Sequence, residues 1–475
     1  NAVKIMEEHQ EGLPDRRAWC FRELGRVHDR LGDYDLALEY YDKALETSSD
    51  FEITADVSLM KADIRYTQGH VDDSLAMLDE IEGAIRRSGE DLPLLMVRIE
   101  CFRAWVYCVT GKIDIAMEKA LKAVGLSEAL TGITEREKNH RAGFAYNTLA
   151  TVHWANGDYP SAGLYYQKAL SIARDQELKR EMAVTWGNIG LVSLKSGDVH
   201  KAVDSFSSQL SLAGQIGDKL IVLSSKGYLS MGQTSLGQFP KAMETALAYL
   251  KQAEELPSMQ DILIACNQLS LISLAMGRGA DSMAYAERTL NMPGGRPYDR
   301  ERATARLITG IYLMEEGDDT GAEEMFSKAG KLARKVQSKS LLLNVITAVI
   351  ACRREARNST GVSELLPEAE SLADQMGVGD RGGRINLLRG MVSLLLDERD
   401  RAVTETGKAI LFFRERGLKP ALAGALDLMC HIFEHFPEGS PQSALDRQAC
   451  LVQLRELETE MNITAHRRSA VLHII

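Results

Sequence analysis

The sequence predicts an all-α chain, a right-handed superhelical solenoid of about ten to eleven antiparallel helical hairpins. Three observations lead to it. Gly157, Gly197, Gly237, Gly277, Gly317, Arg357 and Asp397 recur at intervals of 40 residues, and Gly32, Gly69 and Gly111 extend the series upstream at looser spacing. Small residues stand seven positions before and five positions after nearly all of these points. Strand-length alternation of aromatic and β-branched residues is absent, whereas Ala, Leu, Glu, Lys, Met and Arg dominate, the composition of stacked helices. Stacked copies present a long surface rather than a closed pocket.

The hairpins follow in order. The first has Gly25, the turn at Gly32, then Ala37 and Tyr41; the second has Ala62, Gly69, Ser74 and Leu78; the third has Ala104, Gly111 and Ala116. The fourth has Ala150, Gly157, Ala162 and Tyr166, and the fifth has Gly190, Gly197, Ala202 and Phe206. Ser230, Gly237 and Ala242 form the sixth, Ser270, Gly277 and Ser282 the seventh, and Gly310, Gly317, Ala322 and Phe326 the eighth. The ninth departs from the pattern, with Ile350, Arg357 and Asn358 at its turn, Val362, Leu366, and Pro367 inside its second helix. Gly390, Asp397 and Ala402 make the tenth, and Gln442 to Thr464 is expected to cap the array. Two helices approach closely only where a side chain is missing, so paired small residues flanking a turn describe an antiparallel hairpin. The bulkier residue nine positions after the turn fills the space that opens further out. Pro160 and Pro240, three residues after their turn glycines, mark second-helix starts, since proline is accepted in the first turn of a helix. Intervals of 37, 42 and 46 residues upstream of Gly157 call for altered loops or longer helices there. One elongated domain spanning 1–475 is expected, with irregular repeats over 1–142, regular ones over 143–417 and a capping hairpin over 418–475.

Taken as a pattern, these residues resemble the tetratricopeptide repeat. The best copies run from Phe21 to Ala44 and from Tyr146 to Ala169, and Trp186, Ile189, Gly190, Gly197, Asp198, Ala202 and Phe206 make a third. The usual period of that family is about 34 residues; the longer one here resembles the variety found in Pins/LGN-type scaffolds, kinesin light chains and bacterial signalling proteins. The resemblance implies a concave groove, lined by first helices, that takes a peptide or partner protein.

Composition narrows the function. A net charge of −11 opposes a nucleic-acid role, because phosphate binding is dominated by basic surface. Cys20, Cys101, Cys108, Cys266, Cys352, Cys430 and Cys450 are scattered and show no C-x-x-C spacing, the usage of small hydrophobes in a reducing, cytoplasmic compartment. No run reaches the roughly 18 apolar residues of a membrane span. The chain opens on Asn1 rather than Met, so a piece of a larger signalling or regulatory protein is expected.

No catalytic, cofactor or metal site is expected. His431 and His435 flank Glu434, but a zincin needs the glutamate directly after the first histidine. His28 and His153 hold equivalent places in two repeats and read as packing residues. The glycine clusters Met292 to Pro297 and Gly377, Gly379, Gly382 and Gly383 follow no strand and read as inter-repeat loops.

The groove is the remaining candidate. Asn147, Thr151 and Trp154 are expected to line it in the fourth repeat, Asn188 and Leu191 in the fifth, Asn267 and Leu271 in the seventh, and Ile311 and Met314 in the eighth. Asparagine offers donor and acceptor to an extended peptide backbone; the alternative is that these three tie neighbouring helices together. Leu194, Met231 and Leu274 add apolar surface on first helices. Arg22, Arg26 and Arg30 recur every four residues, hence on one helix face, and form either a solvated surface or a site for an acidic partner. Two function classes follow, both without an active site in this chain. One is an interaction scaffold or sensor that binds a peptide or protein. The other is the regulatory or substrate-recognition segment of a multidomain enzyme, such as a kinase, a sigma-54-type ATPase regulator or a CHAT-type protease, whose catalytic domain lies elsewhere.

Overall fold

All ten turn positions adopt left-handed backbone, the glycines between φ +72 at Gly237 and φ +89 at Gly69, and Arg357 and Asp397 hold it without being glycine, at φ 49 and 59. The computed structural model in which this is seen describes residues 14–90, 92–256, 258–293, 298–376, 381–436 and 441–463, except for the side chains of 30, 31, 381 and 441–445. Gly294, Gly295, Arg296, Pro297, Gly377, Gly379 and Pro437 lie outside the described residues.

The described residues form 22 helices and no strand. Compact packing divides the chain into two units, Asn1–Leu178 and Lys179–Ile475. The first holds α1 (Pro14–Leu31), α2 (Tyr34–Thr47), α3 (Phe51–Thr67), α4 (Val71–Ser88), α5 (Pro93–Val109), α6 (Ile113–Glu128), α7 (Glu135–Ala155) and α8 (Tyr159–Asp175). The second holds α9 (Lys179–Lys195), α10 (Val199–Ile216), α11 (Lys219–Ser235), α12 (Phe239–Glu255), α13 (Met259–Ala275), α14 (Gly279–Asn291) and α15 (Asp299–Glu315). It continues through α16 (Asp319–Lys335), α17 (Lys339–Glu355), α18 (Val362–Met376), α19 (Arg381–Leu395), α20 (Arg399–Glu415), α21 (Lys419–His435) and α22 (Pro441–Met461).

Each turn closes in the same way. At Gly157 the glycine N–H donates to Trp154 O and the next N–H, of Asp158, donates to His153 O, the paired bonds of a Schellman motif. Asp158 then caps α8 by accepting from Ser161 N, and Asp198 and Asp318 do the same for Lys201 N and Gly321 N. Thus one residue ends a helix and its neighbour starts the next. The small positions meet as expected: Ser74 Oγ donates to Ala62 O at 2.8 Å, Ser230 Oγ to Ala242 O at 3.2 Å, and Ser270 Oγ to Ser282 O at 2.8 Å. His28 stacks on Tyr40 and His153 on Tyr165, each at 5.4 Å between ring centroids.

The irregular intervals have local causes. The 14-residue α2 shortens the first interval, and the 21-residue α7, started by a Thr134–Glu137 capping box, lengthens the last. In the ninth hairpin the second helix starts only at Val362, with Pro367 inside it. Gly382 and Gly383 correct the expected loop. They sit in α19, and a β-carbon at 383 would meet Phe412 at 2.5 Å and Phe413 at 2.6 Å, so glycine permits a close helix approach there.

First helices also pack on the first helix of the next hairpin throughout both units, for example α5 on α7 and α13 on α15. That layer lies on the inner side of each unit. The second unit also closes on itself: the backbone of Gly417, between α20 and α21, lies against His200 on α10, and that of Gly237 lies against Met461 on α22 and Pro420 on α21. Its inner face is therefore a bounded groove rather than an open surface.

Candidate functional site

In the second unit, Met231 and Leu271 hold equivalent places on successive first helices, 40 residues apart. Met231 on α11 and Leu271 on α13 line a groove of about 330 Å³, with Leu194 from α9, Leu343 from α17 and Met376 from α18. Among these, Met231 is 37% exposed. Polar groups interrupt the apolar floor. Gln268 donates its amide to Gly227 O at 3.1 Å, while its Oε1 accepts from nothing among the described residues. Asn344 accepts from Arg384 Nη1 at 3.1 Å through Oδ1, and its own amide N–H groups donate to no described residue. The groove thus offers apolar side-chain pockets beside the amide donor of Asn344, features that suit an extended peptide.

The expected residues distribute unevenly. Leu271 lines this groove. Asn267 does not: it is buried, and its Nδ2 donates to Glu301 O at 2.9 Å, tying α13 to α15. Ile311 and Met314, expected at the surface, are buried in the core with Leu274, Leu307 and Leu387. Neighbouring helices cover that stretch of α15. Leu191 is half-buried against the Ala202, Phe206 and Leu229 cluster, and Asn188 is half-buried. Asn147, Thr151 and Trp154 belong to the first unit. Thr151 Oγ1 donates to Asn147 O at 2.9 Å and lies 2.9 Å from the Tyr166 hydroxyl, and the indole N–H of Trp154 is buried without a partner among the described residues.

The first unit has a groove of its own, of about 440 Å³, crossed by the inner faces of α1, α3, α5 and α7. Arg22, Arg26, Arg98 and Arg141 line it with the acids Glu52 and Asp56 and the apolar Ile53, Met60, Leu94 and Leu95. Arg22 pairs with Asp56 at 3.1 Å and with Glu23 at 2.8 Å, Arg26 pairs with Glu23 at 3.0 Å, and Arg98 pairs with Asp56. Burial, followed by the charges of Arg141, Arg22 and Arg26, pulls the Arg98 guanidinium down to about 10. Burial likewise lowers Arg141. Arg98 and Arg141 were not legible as members of this cluster, because they come from repeats with irregular spacing. The side chain of Arg30 lies outside the described residues.

His431 and His435 are engaged separately. His431 Nδ1 lies 2.9 Å from Asp427 O, and His435 Nε2 lies 2.6 Å from Asp397 Oδ1. Among the described residues no three His, Cys, Asp or Glu side chains group as a metal site, and no helix is long and apolar enough to cross a membrane.

Comparison with known proteins agrees with this architecture. Two models described as tetratricopeptide repeat match residues 18–51 and 145–176. Among solved structures, a Rap protein complexed with competence and sporulation factor is similar over 87% of this chain and 100% of that one, with 14% identity and a TM-score of 0.50. A signal transduction ATPase with numerous domains, bearing a tetratricopeptide repeat sensor, from Pyrococcus horikoshii is similar over 66% of this chain and 46% of its own, with 15% identity and a TM-score of 0.50. At such identities the likeness is one of fold. No curated protein matches the chain in sequence.

Proposed function

We propose, for a chain that belongs to the tetratricopeptide-repeat superfamily, that it is a non-catalytic interaction or sensor module whose second unit holds an extended peptide segment on its inner face. One observation carries the reading. Side chains from first helices far apart in sequence, Met231, Leu271, Leu343 and Asn344, converge on one groove with Gln268 beside them. Apolar pockets at alternate ligand residues, with amides for the ligand backbone, suit a peptide better than a compact metabolite. The Rap neighbour was solved in complex with a competence and sporulation factor, and the repeats of the ATPase neighbour are described as its sensor; both precedents support a fold of this kind receiving a second molecule. A larger signalling protein containing this chain would read the occupancy of the groove.

The test is selection of binding peptides from a random display library on the purified chain, followed by fluorescence anisotropy. Met231→Asp should weaken the selected peptides about tenfold or more, since it places an unpaired charge in an apolar pocket. Equal affinity in a folded Met231→Asp variant would refute the reading.

A further inference from the structure

We propose that the first unit carries a second, independent site, in which Arg22, Arg26, Arg98 and Arg141 bind the carboxylates of an acidic peptide segment. The four guanidinium groups come from three helices, α1, α5 and α7, and meet in one groove although the chain as a whole carries −11. Convergence of like charges from separate helices is unfavourable unless something offsets it. Asp56 and Glu23 offset part of it, by pairing with Arg22, Arg26 and Arg98. Arg141 makes no ion pair among the described residues, and the nearby Glu137 carboxylate is held by the Thr134 cap. The Arg98 guanidinium is lowered by burial and then by the charges of Arg141, Arg22 and Arg26, as crowding of the four in one groove requires.

The shape of the groove selects among anions. It crosses four successive first helices and sets arginines together with Ile53, Met60, Leu94 and Leu95, so it fits a chain that carries both carboxylates and apolar side chains. Guanidinium forks match carboxylates in two-point hydrogen bonds. A long polyanion such as a nucleic acid would extend past the groove over an acidic protein and be repelled there. A short acidic segment stays within the groove, where four arginines outnumber the carboxylates of Glu52 and Asp56.

The experiment uses the full chain and fluorescein-labelled oligoglutamate, its oligoglutamine counterpart, and oligothymidylate of equal charge, followed by anisotropy at low and at near-physiological salt. Oligoglutamate should bind at low salt, weaken as salt rises, and lose about tenfold or more with Arg141→Gln, since hydrogen bonds to charged groups are the strong ones. Arg136→Gln, the same charge change at an exposed position of α7, should leave affinity unchanged. Arg141 has no ion pair to break, so its variant should keep the helical spectrum and melting point of the parent. Four outcomes would each overturn the site: no binding of oligoglutamate, equal binding of oligoglutamine, an Arg141→Gln variant that binds like the parent, or tighter binding of oligothymidylate. None of these variants touches the groove of the second unit, so the two proposals fail separately.

Discussion

Gly190 on α9 faces the ring of Phe206 on α10 so closely that a β-carbon at position 190 would stand 2.4 Å from its Cε1. The same pairing joins Gly25 to Tyr41 at 2.3 Å and Gly310 to Phe326 at 2.5 Å. Each aromatic ring occupies the space its partner leaves, and Tyr41, Phe206 and Phe326 are almost wholly buried. Gly190→Leu should therefore cost about 1–3 kcal/mol or more through overpacking, and Ala162→Leu, at a fully buried small position of α8, a similar amount. The adjacent Gly163 has open space around its missing β-carbon, so Gly163→Ala should stabilise by roughly 0.5–1 kcal/mol. Chemical denaturation of the three variants checks the hairpin register, which is wrong if Gly190→Leu unfolds like the parent.

A buried ion network joins α4, α5 and α6. Arg103 bonds Glu82, Asp79 at 2.6 Å and Glu100 at 3.2 Å, and Lys122 reaches Glu100 at 2.8 Å. The Glu100 side chain has no solvent exposure. Arg103→Met should destabilise the chain by about 3 kcal/mol, because it removes the buried partner shared by Glu82 and Glu100 and leaves them only the more exposed Arg86 and Lys122. A denaturation midpoint within error of the parent would show that the network does not hold these helices together.

Stability should depend on pH through His431. Its hydrogen bond to Asp427 raises its pKa above the ordinary value of 6.5, against burial and the charge of Arg354. The folded state then binds a proton more tightly than the unfolded chain, so the contribution is fully present below about pH 6.5 and is lost as pH rises through the folded pKa. His431→Gln should therefore be less stable than the parent near about pH 5.5, and the gap should close near about pH 8.5. Melting curves at both values decide it; a gap that widens with pH would reverse the assignment.

Asn267 and Asn344 should separate structure from binding. Asn267→Ala removes the amide that reaches Glu301 O across α13 and α15 and should cost about 1–3 kcal/mol of stability with peptide affinity unchanged. Asn344→Ala should lower peptide affinity with little change in melting point. The reverse pattern would return the ligand to the position expected from the sequence.

The hairpins were legible because sterics leave little choice at a left-handed turn or a helix contact, so Gly157 and Ala162 stand out and their spacing reveals Arg357 and Asp397 as equivalents. A second series of left-handed turns, Glu177, Gly217, Gln337 and Gly417, joins successive hairpins at multiples of the same spacing. It was not legible, since Glu and Gln carry no turn signature. In the groove, Leu271 was found but Gln268 was missed for Asn267, its neighbour. One residue rotates a helix face by about 100°, enough to turn an amide from the groove-lining tie to α11 made by Gln268 to the buried tie to α15 made by Asn267. The contact of His200 with Gly417 joins distant hairpins and has no local pattern at all, yet it bounds the groove.

The occupancy of that groove is best measured by photo-crosslinking a selected peptide to p-benzoylphenylalanine placed at Met231, on a first helix, or at Leu247, an exposed residue on the second helix α12. The account predicts a crosslink from position 231, competed by unlabelled peptide, and none from position 247. A competed crosslink from 247 with none from 231 would contradict it and place the ligand on the outer face.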